Sequence, residues 1–295
     1  MDALQYVAAR LWSFYADQPM ALLRSLAIAC GLVLAVMLLE LALVGWQRSS
    51  LRRLLRLSNS ARTDLLAFVL VETSLGLFIG MAMLLGMTYG LQRMAVAGGA
   101  WAGKLTLSSQ ILALVLYFVV IDFANYWTHR FCHRVPTLWE IHRYHHSAPE
   151  MTVLTAARDH PMERALSSAV VAFPAAVLAL PMQDFAVVHL LAKTVGLLKH
   201  SNLHANWGLV GRYLIQSPAA HWIHHSTDPA HHNKNFASLF QFWDVLFGTA
   251  IHPSTSEAER VRLGVDGDNG QAPPFTYLLK VFVASWRRAF GGPGA

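Results

Sequence analysis

Three long apolar runs separated by short polar connections set the pattern of the first half of the chain. Leu26 to Trp46 is a 21-residue run interrupted only by Glu40. As a helix rising about 1.5 Å per residue it is long enough to cross a hydrocarbon core of roughly 30 Å. A second run, Leu65 to Leu91, contains Glu72, and a third extends from Leu105 to about Trp127 and passes directly into THRFCH. Each is expected to be a membrane-crossing helix. The apolar stretch from Leu166 to Leu198 is broken by Pro181, Gln183 and Asp184, which predicts two helices forming a hairpin that enters and leaves from the same side. From Trp207 onward the pattern is more polar and shows no further convincing span. Residues 254 to 274, rich in Ser, Gly, Asp and Pro, read as an exposed connection. The final segment, PFTYLLKVFVASWRRAF, spaces Phe275, Leu279, Phe282 and Trp286 near the helical repeat with Arg287 and Arg288 behind them. It fits either an amphipathic helix in the membrane interface or a helix packed on the catalytic region.

Charge orients these runs. The connection after the first carries Arg48, Arg52, Arg53, Arg56 and Arg62, whereas the connection after the second carries only Arg93 and Lys104. The first is therefore expected on the cytoplasmic side, which brings His129 and the chain up to about Glu163 to the cytoplasmic face. The hairpin returns its far end, KHSNLH, to that same face. Composition agrees: 55% apolar and 14% charged residues describe an integral membrane protein better than a soluble globule. The net charge of +6 comes without a basic tract beside stacking aromatics, so no nucleic-acid partner is expected. Cys30 and Cys132 support neither a disulfide framework nor a thiolate zinc site. The first apolar run has no small-residue cleavage site after it and is read as a retained span.

The chemistry is carried by histidine. Of 15 histidines, ten fall into four boxes: His129/His133, His142/His145/His146, His200/His204 and His221/His224/His225. On an α-helix, positions i, i+3 and i+4 share a face, so HxxxH aims two imidazoles and HxxHH three in one direction. Neutral imidazole suits iron, zinc, copper or nickel, and ten nitrogens suit two ions better than one. Ten polar rings near a bilayer are costly unless something satisfies them.

The ordered segments DFANYWTHRFCH (122–133), LWEIHRYHHS (138–147), LTAARDHPME (154–163), HSNLH (200–204), SPAAHWIHHS (217–226) and KNFASLFQFWDVLFGT (234–249) make the chain resemble the fatty acid hydroxylase or sterol desaturase superfamily of membrane di-iron enzymes. The resemblance implies an all-α fold, a membrane bundle of about four to five helices including the hairpin, under a cytosolic histidine-rich cap. It also implies that His129, His133, His142, His145 and His224 serve one metal and His146, His200, His204, His221 and His225 the other. Domain organisation follows as a membrane region (1–109), a catalytic domain (110–252) and a C-terminal loop and amphipathic helix (253–295).

Around the boxes, Asp122 lies seven residues before His129 and is a candidate to accept the second ring N–H of a ligand, or else an interfacial carboxylate. His160 in RDHPME is a second candidate beside the site. Glu163 and Arg158 are expected to pair with each other or with loop backbone. His231 and His232 do not fit helical spacing from His225, and His189 fits either a lipid path or an interhelical hydrogen bond. Asn235 and Asp244 are expected to turn the chain. Trp127, Trp139 and Trp222 suit an interfacial belt or a pocket wall.

Two irons at a membrane surface, with O₂ as co-substrate, suit hydroxylation or desaturation of a C–H bond in an acyl chain, an ether lipid or a sterol. With no dinucleotide fingerprint and no cluster cysteines, a separate donor of ferredoxin or cytochrome b5 type is implied. Ether-lipid cleavage is an alternative within the same chemistry. A zinc-dependent membrane hydrolase or isomerase and a non-enzymatic metal carrier are alternatives outside it.

Overall fold

The first and third apolar runs form helices that bury only a narrow stripe of themselves. In a computed structural model, which describes residues 19–83, 109–177, 182–268 and 272–290, α1 (Pro19–Val44) buries Ala29, Val33, Val36 and Glu40. Its Leu23, Ile28, Leu34, Leu38 and Leu43 face outward. Such a surface suits hydrocarbon, not water. Ser49 caps the short α2 (Ser50–Leu55) and Ser58 caps α3 (Asn59–Glu72), each through an oxygen accepting a first-turn N–H. α4 (Leu75–Met83) follows after a sharp break. α5 (Gln110–Arg134) ends at Val135, and Pro136 opens α6 (Pro136–His146), where a missing N–H costs nothing.

A 3-10 turn at Val153–Ala157 leads to α7 (Pro161–Val177) and α8 (Met182–His200). The remaining helices are α9 (Gly208–Tyr213), α10 (Pro218–His224), α11 (Phe242–Leu246), α12 (Thr255–Arg260) and α13 (Pro274–Phe290). Among the described residues there is no strand, only isolated bridges. The all-α expectation stands.

Among the described residues two helices, Pro19–Val44 and Ile111–Arg134, are long and apolar enough to cross a membrane. The second expected span is not one straight helix: α3 and α4 meet at 89°. Ser74 adopts a left-handed φ of 60° at the break, and the Glu72 carboxylate at the end of α3 accepts from Lys193 Nζ on α8 at 2.5 Å. Past the bend, Gly80 lets α4 meet α7, since a Cβ there would fall 1.8 Å from the Pro161 carbonyl oxygen. The part of that run beyond Met83, and Pro181 in the hairpin, lie outside the described residues. The expected exposed connection at 254–274 contains α12, which seats Ala258 beside Trp222 and Met151. α13 is packed on α6: Tyr277 stacks on Tyr144 at 5.4 Å, while its opposite side exposes Phe275, Leu279, Trp286 and Phe290.

Two buried carboxylates tie the N-terminal helices to the histidine-bearing ones. Glu40, the one charge in the first apolar run, accepts from the Ser50 N–H (2.6 Å), the Ser50 hydroxyl (3.0 Å), the Asn202 N–H (2.6 Å) and the Asn202 amide (2.8 Å). This fastens α1 to the segment just after His200. Asp64 on α3 accepts from Arg158 Nε at 2.6 Å and from the Thr152 and Thr155 hydroxyls at 2.8 and 2.9 Å. Arg158 therefore pairs with Asp64, not with Glu163, and spends its other nitrogens on the Ser60 carbonyl and hydroxyl and on Ser147 directly after α6. Removing one partner of such a pair leaves a buried charge uncompensated. Asp64→Ala is expected to destabilise the protein by about 3–5 kcal/mol, read as a lowered unfolding midpoint in detergent.

Candidate metal centre

Four helices bring their histidines to one place. α5 contributes His129 and His133, α6 contributes His142, His145 and His146, α8 ends on His200, and α10 with its C-cap contributes His221, His224 and His225. Their ring nitrogens form two groups. His129, His133, His142, His146 and His224 offer ligand atoms within 4.8 Å of one another, and His145, His200, His221 and His225 do the same. The groups touch: the His146 and His225 rings stack at 4.3 Å.

The grouping differs from the one implied by resemblance, with His145 and His146 exchanged, and the reason is helical. Residues four apart differ by about 40° around a helix axis, whereas residues three apart differ by about 60° the other way. His142 and His146 thus face one group together and His145 turns to the other. In HWIHH the assignment is mirrored, since His221 and His225 stay together and His224 crosses over.

His204 joins neither group. α8 stops at His200, and His204, with φ of 49°, lies beyond helical geometry. Its ring packs on Trp222 at 4.0 Å, and burial pushes its pKa down to about 4.

Hydrogen bonds fix which nitrogen faces the centre. A carbonyl or carboxylate can only accept, so the ring nitrogen it meets must carry the proton. His129 Nδ1–H donates to Phe236 O at 2.8 Å, His224 Nδ1–H to Lys234 O at 2.8 Å, His200 Nδ1–H to Gly196 O at 2.7 Å and His142 Nδ1–H to Glu163 Oε1 at 2.7 Å. Each leaves a bare Nε2 lone pair. In the first group the Nε2 atoms of all five histidines are buried without a hydrogen-bond partner. In the second, Nε2 atoms lie 3.0 Å (His221–His200), 3.2 Å (His225–His221) and 3.3 Å (His200–His145) apart. Ligand nitrogens about 2.1 Å from one ion stand about 3.0 Å apart at a right angle and about 3.4 Å apart in a tetrahedron. Both groups therefore fit a first-row metal held by imidazole. Burial, reinforced by neighbouring rings, holds His145, His146, His221 and His225 well below the ordinary imidazole range, and His224 is pushed down to about 3. They stay neutral at physiological pH, the state a ligand requires.

The carbonyls that orient His129 and His224 flank Asn235. That residue takes a left-handed φ of 55° and donates to the Ala220 and Ile251 carbonyls at 2.9 and 3.0 Å while accepting the Ile251 N–H. Asp244 holds the next two amides, accepting from Phe236 N and Ala237 N at 2.8 Å each.

Asp122 does not reach a histidine. Its oxygens accept from the Leu239 and Phe240 amides at 2.9 Å and from Trp243 Nε1 at 3.0 Å, so the spacing of seven put it on the correct helix face but the loop arrived there first. His160 also sits away from both groups, with Nε2–H donating to Leu278 O at 3.3 Å and Nδ1 accepting from Met162 N–H. His231 bonds Ser226 at 2.9 Å, and neither it nor His232 joins a group. Trp139 walls the centre, 5.2 Å from the His133 ring, whereas Trp127 packs on Phe247 at 5.1 Å. Sequence reasoning missed the role of Glu163; its place one turn into α7 offered no sign that α6 would bring His142 to it.

Comparison with known proteins places these residues in context. Residues 114–249 match the fatty acid hydroxylase family model. The chain is 32% identical over 173 residues to an alkylglycerol monooxygenase of Danio rerio, covering 59% of this chain and 37% of that protein. It is 29% identical over 153 residues to an ornithine lipid hydroxylase of Rhizobium tropici (52% and 45% covered). A methylsterol monooxygenase of Aspergillus fumigatus is 32% identical over 160 residues (52% and 51% covered). The chain thus spans about half or less of the length of these relatives, and no solved structure matches it.

His225→Ala is expected to lower the metal content of purified protein, while His204→Ala leaves it unchanged, by elemental analysis. Glu163→Gln keeps a hydrogen-bond acceptor but loses the charge behind His142, and should weaken metal retention about 10–100-fold in chelator competition.

Proposed function

Residues 114–249 match the fatty acid hydroxylase family model, and from that premise we propose that the chain is a membrane-embedded, di-iron, O₂-dependent oxidoreductase that hydroxylates or desaturates a C–H bond of a membrane lipid. The observation that carries the reading is the convergence of nine imidazoles, seven buried and two half-buried, into two touching groups. His129, His133, His142, His146 and His224 would hold one iron, and His145, His200, His221 and His225 the other. Irons held this way supply reductive activation of O₂ and the oxidation of an otherwise inert C–H bond.

The protein's own part is orientation and exclusion of water. Glu163 and the Phe236 and Lys234 carbonyls keep the proton on Nδ1 of three rings, so that Nε2 faces inward. Trp139 and Phe236 give the first group an apolar wall, with the Phe236 ring 5.2 Å from that of His133. α5 runs without a break from apolar residues into His129 and His133, which allows an acyl chain or sterol ring lying beside it to be presented to the centre away from bulk water.

Hydroxylation consumes the lipid, O₂, two electrons and two protons and yields the alcohol and water. The electrons come from a separate donor of ferredoxin or cytochrome b5 type. The arginines between α1 and α3 support a multi-pass arrangement with the histidines on the cytoplasmic face. A second reading, cleavage of an ether lipid by hydroxylation beside the ether oxygen, is favoured by the alkylglycerol monooxygenases among the relatives.

Detergent-purified protein, produced with ample iron and supplied with a reducing system and ¹⁸O₂, is expected to contain iron and to place label in one lipid class. Stoichiometric zinc without O₂ consumption would sink the proposal. His145→Ala and His225→Ala should each abolish labelling while leaving membrane insertion intact, and His232→Ala should do much less. Release of an aldehyde from an ether lipid in the same assay selects the second reading.

A further inference from the structure

Two short helices that cannot cross a membrane present apolar side chains outward. On α9, Leu209 is 75% exposed and Leu214, its C-cap, 57%; on α11, Leu246 is 66% exposed. Val210 and Val245 join them. Nothing in the polar sequence from Trp207 onward announces such a surface.

Hydrogen bonds fix its depth. Asp122 lies near the middle of Ile111–Arg134, a helix apolar enough to cross a membrane, and there it accepts from Leu239 N, Phe240 N and Trp243 Nε1. The same segment is stapled to the end of α9, with Gln241 N–H donating to Leu214 O at 2.9 Å and Gln216 N–H to Leu239 O at 2.8 Å. Ring contacts continue the seam: Phe118 meets Phe240 at 5.3 Å and Phe123 meets Trp243 at 4.9 Å. Asp122 stands about 10 Å along the helix from His129, at about 1.5 Å per residue. The pair α9 and α11 is thereby held beside a stretch of α5 that itself exposes Val115, Leu116 and Phe123. A medium that receives Phe123 receives Leu246 too.

The polar groups lie beside this surface in a telling combination. The Arg212 guanidinium sits over the Tyr213 ring, 5.4 Å from its centroid. A cation on an aromatic platform suits the level where hydrocarbon gives way to phosphate.

We propose that α9 and α11 form a monotopic foot, a non-spanning surface seated among the phospholipid acyl chains of the leaflet that flanks the metal centre, with Arg212 and Tyr213 at the phosphate level. Continuity with the exposed side of α5 selects this occupant over a second copy of the chain. The inference stands on geometry alone and does not depend on the oxygenase reading.

The test uses full-length protein in nanodiscs of phosphatidylcholine and phosphatidylglycerol. The photoreactive residue p-benzoylphenylalanine replaces Leu209, Leu246, Val115 (the α5 reference) or Ala230 (an aqueous reference, exposed on the structure) one at a time. Lipid adducts at 209 and 246 with yields matching those at 115, and loss of the adduct at 230, are expected in the intact mass. Crosslinks to a second copy, crosslinks within the chain, or yields as low as at 230 overturn the proposal. Hydroxyl-radical footprinting of the unsubstituted protein gives an independent reading. Leu209 and Leu246 should be protected in nanodiscs as Val115 is; oxidation as ready as that of exposed His232 overturns the foot.

Discussion

Imidazole lone pairs facing one another across a few ångströms repel, and in a buried place no water relieves them. In the first group His129, His142 and His224 are nonetheless held that way, each with Nδ1–H bonded and a buried Nε2 left without a partner, and in the second His200 turns its bare Nε2 to His221 at 3.0 Å. Such a convergence is tolerable around a cation and expensive otherwise. The surrounding architecture serves to maintain it. Four helices must end or begin at one level, their rings must keep one tautomer, and the loop carrying Phe236 and Lys234 must offer its carbonyls at the correct angle.

Buried carboxylates do most of that holding, and each does so by accepting several hydrogen bonds from chain segments that are distant in sequence. Glu40 gathers α2 and Asn202, Asp64 gathers Arg158 and two threonines, and Asp122 and Asp244 between them hold four backbone amides of the 236–240 segment. A charged acceptor with its lone pairs filled is a stronger and more directional tie than apolar contact. That matters where much of each long helix is turned toward lipid and little apolar area is left to bury inside.

The sequence announced the histidine faces because ligand spacing and helix period are the same information. It announced the outer helices because hydrocarbon thickness demands long apolar runs. It could not announce where helices stop: His204 keeps the right spacing from His200, but α8 has ended by then, so the ring points to Trp222. It could not supply partners that arrive by tertiary packing either: sequence leaves Glu163 and Arg158 to each other or to loop backbone, and Asp122 to a histidine or to the interface, while packing brings His142 to Glu163, Asp64 to Arg158 and the 239–243 segment to Asp122. The division of HRYHH between the two groups was legible in principle from the angular difference between i+3 and i+4. A resemblance-based assignment obscured it. The 89° turn at Thr73 and Ser74 was hidden by an apolar run that reads straight through it.

The mirrored crossover of His145 and His224 has one more consequence. Because α6 and α10 each give two rings to one group and a third to the other, neither helix can relax around one ion without tugging at its neighbour. Were two ions held as proposed, loading the first would order both helices and so lower the entropic penalty for the second. Occupancy of the pair should behave as a cooperative, nearly all-or-none event, with singly loaded protein a scarce species even when metal is limiting.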